Sequence, residues 1–361
     1  MRFLPSPVRV GFICPSLIAG GGERWMLDLA RHCSGHAVVW SGCVVTGKLA
    51  DAFMHEGLCR IVPVHQAGVT TFQGIAHAQS LNEAVEVLLD HSDIIIIWEA
   101  DTEIVTLADP DRVHVIHVSL SEHPIIPELI DRRHWQAAVS AGAKRSFGDR
   151  ARPDAAVIPS GVDLNRCTPV IPAEDLRASW KAEPGALVIG CLARIDPVKN
   201  HQAIARALTA LPPSAIAVCY GALNPRSAAV KDEVKAIAGD RLQFYDSVDD
   251  IGSVLAAIDV FMLPSRTEAS SNALLEAWAA GVPVVATDVG MLPELEAKFG
   301  ELVCSIRPDA SADKLAGCVR YAFDGQHRWT DRARSVVFNN FSVKRTAALW
   351  TDYLRLVAGS T

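Results

Sequence analysis

Three groups of residues in this chain have the types and spacing to act on an anionic, hydroxyl-rich ligand. The first is the pair Glu268 and Glu276, with Ser270, Ser271 and Asn272 between them. Serine or asparagine at a helix start leaves the first backbone N–H groups pointing outward, and with the helix dipole these suit phosphate. A carboxylate beside a phosphate site is electrostatically awkward unless it holds something else, and sugar hydroxyls are the usual candidates. Taken singly, Glu268 also reads as a helix cap and Glu276 as part of a solvated face. The second group is Arg194 and Lys199, a planar fork and a point charge in one loop that together can bind a pyrophosphate. Two basic residues in a loop are equally compatible with plain solvation. The third is the glycine run ending in Gly21 and Gly22, where backbone can approach a ligand closely or simply turn tightly. His117 closes a short apolar run, where an imidazole can bond a hydroxyl, titrate near neutrality or serve structure alone.

Strand–loop–helix–strand units must position these groups. Residues 260–263 are apolar, too few for a helix and stopped by Pro264, so they read as a buried strand. A polar loop over 265–272 follows, then a helix of strong formers over 273–280 closed by Gly281, then a strand over 284–287 after Pro283. Open parallel sheets bind their ligands at such carboxyl-end loops. Further strands are predicted over 8–14, 38–45, 60–64, 94–98, 113–117 and 137–140. A second series is predicted over 186–193, 216–221 and 242–245. Helices are predicted over 23–32, with Trp25, Met26, Leu29 and Ala30 on one face, over 82–89, around Lys144 and Arg145, and over 201–211. A last helix over 343–357 has Ala347, Leu349, Trp350, Tyr353, Leu354 and Leu356 as a broad apolar face. Proline and glycine punctuate 157–163, and Pro169 and Pro172 follow, which marks the linker between the two series.

Glu268 and Glu276, followed by Ala-Trp-Ala-Ala-Gly-Val-Pro-Val-Val-Ala-Thr-Asp-Val-Gly, resemble the signature of the family 4 glycosyltransferases. These are retaining, nucleotide-sugar-dependent enzymes of the GT-B fold. Ile-Pro-Ser-Gly-Val-Asp at 158–163 resembles the family's interdomain stretch, and Gly-Gly-Gly-Glu-Arg at 20–24 its first turn. The resemblance extends over nearly the whole chain. It implies an α/β protein with two doubly wound Rossmann-like domains facing across a cleft. Residues 1–165 would bind acceptor, 166–340 the nucleotide sugar, and 341–361 would form a terminal helix packing back toward the N-terminal domain. The resemblance also implies roles. Arg194, Lys199 and the helix start at Ser270, Ser271 and Asn272 would meet the donor phosphates, with Gly21 and Gly22 nearby. Glu276 would bond the ribose, backbone at Val248 would read the base, and Glu268 and His117 would act at the transferring sugar. Asp246 stands where many members have glycine, which leaves the base open. Ala269 replaces another glycine and tightens the loop beside the sugar, which bears on donor preference.

The activity so implied moves a hexose or N-acetylhexosamine from a nucleotide-diphosphate sugar to a glycan or lipid-linked acceptor, in cell-envelope polysaccharide or lipopolysaccharide synthesis. A UDP-sugar is favoured and a GDP-sugar is the second choice. No metal or other cofactor is expected, since cations and a helix start meet the phosphate charge and no metal-ligand spacing is visible. Two other readings share the architecture. A non-hydrolysing sugar-nucleotide epimerase needs acids and bases around the ring. A non-catalytic nucleotide-sugar-binding subunit should have lost one of the four charged residues, and all four are present.

Composition sets outer bounds. A chain of 361 residues is long enough for two cores. Its net charge of −7 argues against nucleic acid as a partner. Neither half is basic, so at most peripheral membrane association is expected. Nine cysteines lie without CxxC spacing, and Cys14, Cys191 and Cys219 fall in apolar runs. They read as buried free thiols of a reducing compartment, which places the protein in the cytoplasm or at the inner face of the membrane. The longest purely aliphatic run, residues 94–97, is far too short to span a bilayer.

Overall fold

A computed structural model describes residues 7–14, 21–33, 38–44, 59–63, 86, 88–98, 108–120, 122, 124–125, 127–223, 226–324 and 329–360; at 13–14, 23, 38–44 and 59–63 it describes backbone only. The chain divides into two compact units, one of Met1–Gly161 with Val343–Thr361, the other of Val162–Ser342. The divisions at 161/162 and 342/343 differ slightly from the predicted 165/166 and 340/341.

The first unit is built on seven parallel strands: β1 Val8–Cys14, β2 Val38–Val44, β3 Cys59–Pro63, β4 Ile94–Trp98, β5 His114–Ser119, β6 Trp135–Ala138 and β7 Ala156–Val157. Their order is β3-β2-β1-β4-β5-β6-β7, the doubly wound pattern that reverses direction between β1 and β4. β4 is Ile-Ile-Ile-Ile-Trp and wholly buried, as a central parallel strand covered on both faces must be. The helix Gly21–His32 buries Trp25, Met26, Leu29 and Ala30 as predicted, and Leu27 as well. Of the helix predicted over 82–89, residues 86, 88 and 89 are described and helical, and the helix runs on through 91; the rest of the predicted span lies outside the described residues.

The helix Val343–Ala358 packs on the same unit. Trp350 meets Trp25 edge-on at 5.3 Å, and Tyr353 donates a hydrogen bond to the Gln136 carbonyl at 3.0 Å. Its buried stripe is Ala347, Trp350, Tyr353, Leu354 and Val357. Leu349 and Leu356, predicted on that face, are 39% and 61% exposed, because the stripe follows i, i+3, i+4 spacing and both stand off it. A Cβ at Gly161 would lie 2.6 Å from Val343 Cα, so only glycine allows the chain to leave the unit this close to where it returns.

His117 corrects another expectation. β5 runs two residues further, to Ser119, so His117 is inside the strand and not at its end. It is 2% exposed, with its ring 6.4 Å from His134 and edge-on to Phe147 at 5.7 Å. Burial, with His134 adding like-charge repulsion, pushes His117 down to about 4, and burial pushes His134 down to about 4. Neither imidazole titrates near neutrality.

The second unit repeats the plan with β8 Val188–Leu192, β9 Ile216–Tyr220, β10 Leu242–Tyr245, β11 Val260–Leu263, β12 Val284–Thr287 and β13 Cys304–Ile306. All pairings are parallel, in the order β10-β9-β8-β11-β12-β13. Alternate residues feed two cores. Val188, Phe261 and Leu263 pack with Leu274, Leu275 and Trp278, whereas Ile189, Cys191, Val260 and Met262 pack with Ile204 and Leu208. The order reverses between β8 and β11, so the connections leaving these neighbouring strands pass to opposite faces of the sheet, the place where open parallel sheets bind ligands.

The two buried histidines predict an acid-sensitive fold. Both have folded values below the unfolded value near 6.5, so the unfolded chain takes up protons first as pH falls. Stability is therefore full above about pH 6.5 and lost progressively toward pH 4, by on the order of 2 kcal/mol per histidine at pH 5. Urea titrations at pH 7.5 and 5 should show a clearly smaller loss in the His117→Gln/His134→Gln variant than in the native chain. Equal losses in the two proteins would remove these histidines as the cause.

Candidate functional site

The loops after β8 and β11 are joined by backbone before any side chain meets. Arg266 N–H donates to the Val198 carbonyl at 2.8 Å. Asp196 caps a single 3-10 turn, Pro197–Lys199, by accepting from Val198 N–H at 3.0 Å. Asn200 then takes a left-handed conformation, φ 54°, which asparagine tolerates better than most residues. Its Nδ2 donates to the carbonyls of Pro264 and Pro308, both at 3.0 Å. On the other side, Gly221 directly follows β9, and a Cβ there would collide with the Ala193 carbonyl. The β8 loop is thus clamped from both flanks, and Lys199 is presented at a fixed place.

Lys199 Nζ donates to Glu268 Oε1 at 2.6 Å, and Ser265 Oγ donates to the same oxygen at 2.6 Å. Side-chain exposures of 17% and 12% mark a pair largely withdrawn from water. Thr287 at the end of β12 holds Ser265 in turn, its hydroxyl donating to the Ser265 carbonyl at 2.5 Å. Glu268 therefore does not cap the helix that follows. That cap is Ser271, whose Oγ accepts from Leu274 N–H at 3.3 Å as the helix Asn272–Ala280 begins. Ser270 turns its hydroxyl to Met291 Sδ at 3.5 Å. Asn272 Oδ1 is buried without a hydrogen-bond partner, next to the unpaired N–H groups of the first turn.

Glu276 is not on a solvated face. It lies about one turn into the same helix, 12% exposed, and accepts from Arg166 Nη1 at 3.1 Å. Arg194, by contrast, is exposed at the head of the β8 loop. Val248 is half-buried against the second unit's core, and Asp246 beside it is exposed and accepts from Ser247 N–H at 2.7 Å. The structure thus gathers Lys199, Glu268, Ser270, Ser271 and Asn272 around one strand switch, with Glu276 on the helix behind them. Gly21, Gly22 and His117 belong to the other unit. Gly21 and Gly22 open the helix Gly21–His32, where a Cβ on Gly22 would come 3.2 Å from Trp98 Nε1, so packing already requires a small residue there.

Three positions that contact this cluster escaped sequence reading. Ser265 precedes Glu268 by three residues, a spacing too common to signal a role. Arg166 stands 110 positions from its partner. Gly290 has φ +68° and faces Glu268 so closely that a Cβ would lie 3.0 Å from both Glu268 Cβ and its carbonyl oxygen. The stretch after Glu276 that ends in Gly290 was the one available clue. The fold also brings together Cys191, His201 and Cys219, wholly buried, with ligand atoms within 4.8 Å of one another. Their sulfur and nitrogen donors suit a soft ion and not magnesium, which takes oxygen ligands. Cys191 and Cys219 are free and buried, as predicted; the side chain of Cys14 lies outside the described residues.

Residues 186–320 match the family described as Glycosyl transferases group 1. Among curated relatives, the D-inositol 3-phosphate glycosyltransferase of Mycolicibacterium gilvum is 34% identical over 168 residues, 44% of this chain and 38% of that protein. The lipopolysaccharide core biosynthesis mannosyltransferase LpsB of Rhizobium meliloti is 33% identical over 194 residues, 51% of this chain and 54% of its own length. The chain thus spans about half or less of these relatives' length. Among solved structures, Anabaena HepE in complex with UDP has a TM-score of 0.76 at 18% identity, covering 97% of this chain and all of that one. A glycosyltransferase from Rickettsia africae reaches 0.80 at 16% identity, covering 98% and 100%. The fold is GT-B, and the second unit is a glycosyl transferases group 1 domain, with which family 4 membership is consistent.

Gly290 offers a direct check on the site's shape. Gly290→Ala forces a side chain into the left-handed region, at a cost of about 1–2 kcal/mol, and presses on Glu268. Denaturant unfolding should show that loss, and nucleotide-diphosphate affinity should fall with it. Native stability and affinity in the variant would mean that the turn relaxes without moving Glu268.

Proposed function

We propose that the chain is a retaining glycosyltransferase that moves a hexose or N-acetylhexosamine from a nucleotide-diphosphate sugar to a glycan or lipid-linked acceptor in envelope polysaccharide synthesis. The observation that carries this reading is the Lys199–Glu268 pair set beside the start of the helix Asn272–Ala280, at the strand switch of a glycosyl transferases group 1 domain. A diphosphate arriving there gains a lysine, the exposed Arg194 and a helix terminus. These act most strongly as negative charge builds on the leaving group, where fixed electrostatics usually contributes the largest catalytic share. Lys199 turns toward phosphate, and Glu268 is freed to accept hydrogen bonds from hydroxyls of the sugar. Glu276 takes the ribose, and backbone near Val248 the base. The first unit, with Gly21 and Gly22 at its first helix start, takes the acceptor. No metal is needed, and transfer proceeds with retention, the acceptor attacking from the face the diphosphate leaves. His117, buried and neutral at pH 7, serves as a hydrogen-bonding or packing group and not as an acid.

Two relatives bear on the base, and they name different ones. HepE was solved with UDP, whereas a mannosyltransferase of Corynebacterium glutamicum, 33% identical over 170 residues, is named as GDP-mannose-dependent. A UDP-sugar is the first choice and GDP-mannose the second. No helix among the described residues is long and apolar enough to cross a membrane; peripheral action at the cytoplasmic face is part of the proposal.

Three measurements test this. Glu268→Gln should lower kcat by ~10²–10³-fold, the scale of lost charge-sensing contacts, with little change in donor KM. Lys199→Ala should weaken diphosphate binding far more than nucleoside binding in calorimetry. Near-native kcat in the first variant would remove the loop as catalytic centre. Equal losses for both ligands in the second would separate Lys199 from phosphate. Activity should also persist in EDTA; complete loss, restored by Mg²⁺ or Mn²⁺, would overturn metal independence.

A further inference from the structure

Arg166 is a charged, largely buried residue to which neither the fold nor the catalytic reading assigns a task. It lies on the 3-10 turn Leu164–Cys167, just after the chain enters the second unit at Val162. The turn is built to hold still. Asp163 caps it, accepting from Asn165 N–H at 3.0 Å, and Val162 N–H donates to the Phe341 carbonyl at 2.7 Å. Leu164 and Cys167 pack on the unit's core. Downstream, Val170 and Ile171 N–H groups both donate to Ser253 Oγ, at 2.8 and 2.7 Å. A Cβ at Gly252 would strike the Thr168 carbonyl, so the helix Ile251–Ala257 is pressed directly on the segment. From this anchored backbone the Arg166 guanidinium reaches Glu276 at 3.1 Å, with 18% and 12% of the two side chains exposed.

A carboxylate on a helix whose start attracts phosphate is repelled by that same phosphate. A fixed guanidinium cancels much of the repulsion, and its planar donors orient the carboxylate oxygens. Burial, followed by the charge of Glu276, pushes the neighbouring Cys167 thiol up to about 12, which agrees with a carboxylate held close to this turn. We infer that Arg166 is a positioning residue: it holds Glu276 so that its carboxylate accepts from the vicinal hydroxyls of the donor's ribose, and thereby makes the site select ribonucleotides over 2′-deoxyribonucleotides. This rests on the ribose role of Glu276 proposed above.

Calorimetry with UDP and 2′-deoxy-UDP, and with the GDP pair, tests both layers. The native chain should prefer the ribonucleotide by roughly 10- to 100-fold, the value of a hydrogen bond to a charged group. Glu276→Ala should abolish the preference. Arg166→Gln should abolish most of it, by weakening the ribonucleotide far more than the deoxyribonucleotide, which loses only the screening of phosphate from Glu276. Arg166→Lys, which keeps charge but not the fork, should restore part of it. Arg166→Met supplies the same comparison if Arg166→Gln does not fold. A preference retained in Glu276→Ala overturns the ribose role itself. A preference lost in Glu276→Ala but kept in Arg166→Gln overturns the inference alone. Equal weakening of both nucleotides by Arg166→Gln also overturns it, since that is what mere structural support of the turn would do.

Discussion

The reversal of strand order between β8 and β11 is the constraint on which the second unit's chemistry depends. Parallel strands send their connections to opposite faces only at this point, which is where open sheets of this kind bind their ligands. Lys199 comes from one loop and Glu268 from the other, 69 positions apart, and they meet at 2.6 Å. The backbone bond from Arg266 to Val198, the side-chain bonds of Asn200 and the close approach at Gly221 keep the two loops in register. Without them two long side chains would lose considerable rotamer freedom to form one ion pair, and such pairs contribute little where they are exposed.

Elements governed by local rules were legible in the residues. Strand ends set by proline, the Gly281 stop and the serine cap depend on neighbours a few positions away, and β11, β12 and the helix Asn272–Ala280 fall within one residue of their predicted bounds. The cap itself could have been Ser270, Ser271 or Asn272 by type; geometry selects Ser271. The long closing helix was likewise visible, but its face was drawn too wide. Leu349 and Leu356 are apolar, and nothing in a single helix's periodicity says how much of its girth a neighbour will cover.

Other parts depend on partners far away in sequence. β5 continues two residues beyond the prediction because Val118 and Ser119 pair with Ala137 and Ala138 across the sheet, and that extension alone moves His117 from an edge into the interior. Glu276 was readable as a carboxylate on a helix, whereas Arg166 opposite it was readable only as a polar residue after a linker. Gly290 carried a sign of special backbone but none of what it faces.

The described site is close to charge-balanced before any ligand arrives. Lys199 is engaged with Glu268, and Arg166 with Glu276, each pair largely out of water. Removing one member of such a pair strands the other in a poorly solvated place, which costs more than the pair contributes. Each carboxylate therefore keeps its cation, and the two cations keep their geometry, until something offers a better arrangement. On the function proposed above, a diphosphate attached to a hydroxyl-bearing sugar would do so at the first pair: phosphate would replace carboxylate at Lys199 as hydroxyl donors replace lysine at Glu268. Inorganic phosphate replaces only the first half of that exchange and leaves Glu268 unpaired, and a free sugar replaces only the second. On that proposal the pairing would favour the joined molecule over either fragment, which is the discrimination a transferase needs if it is to hold a donor until the acceptor is in place.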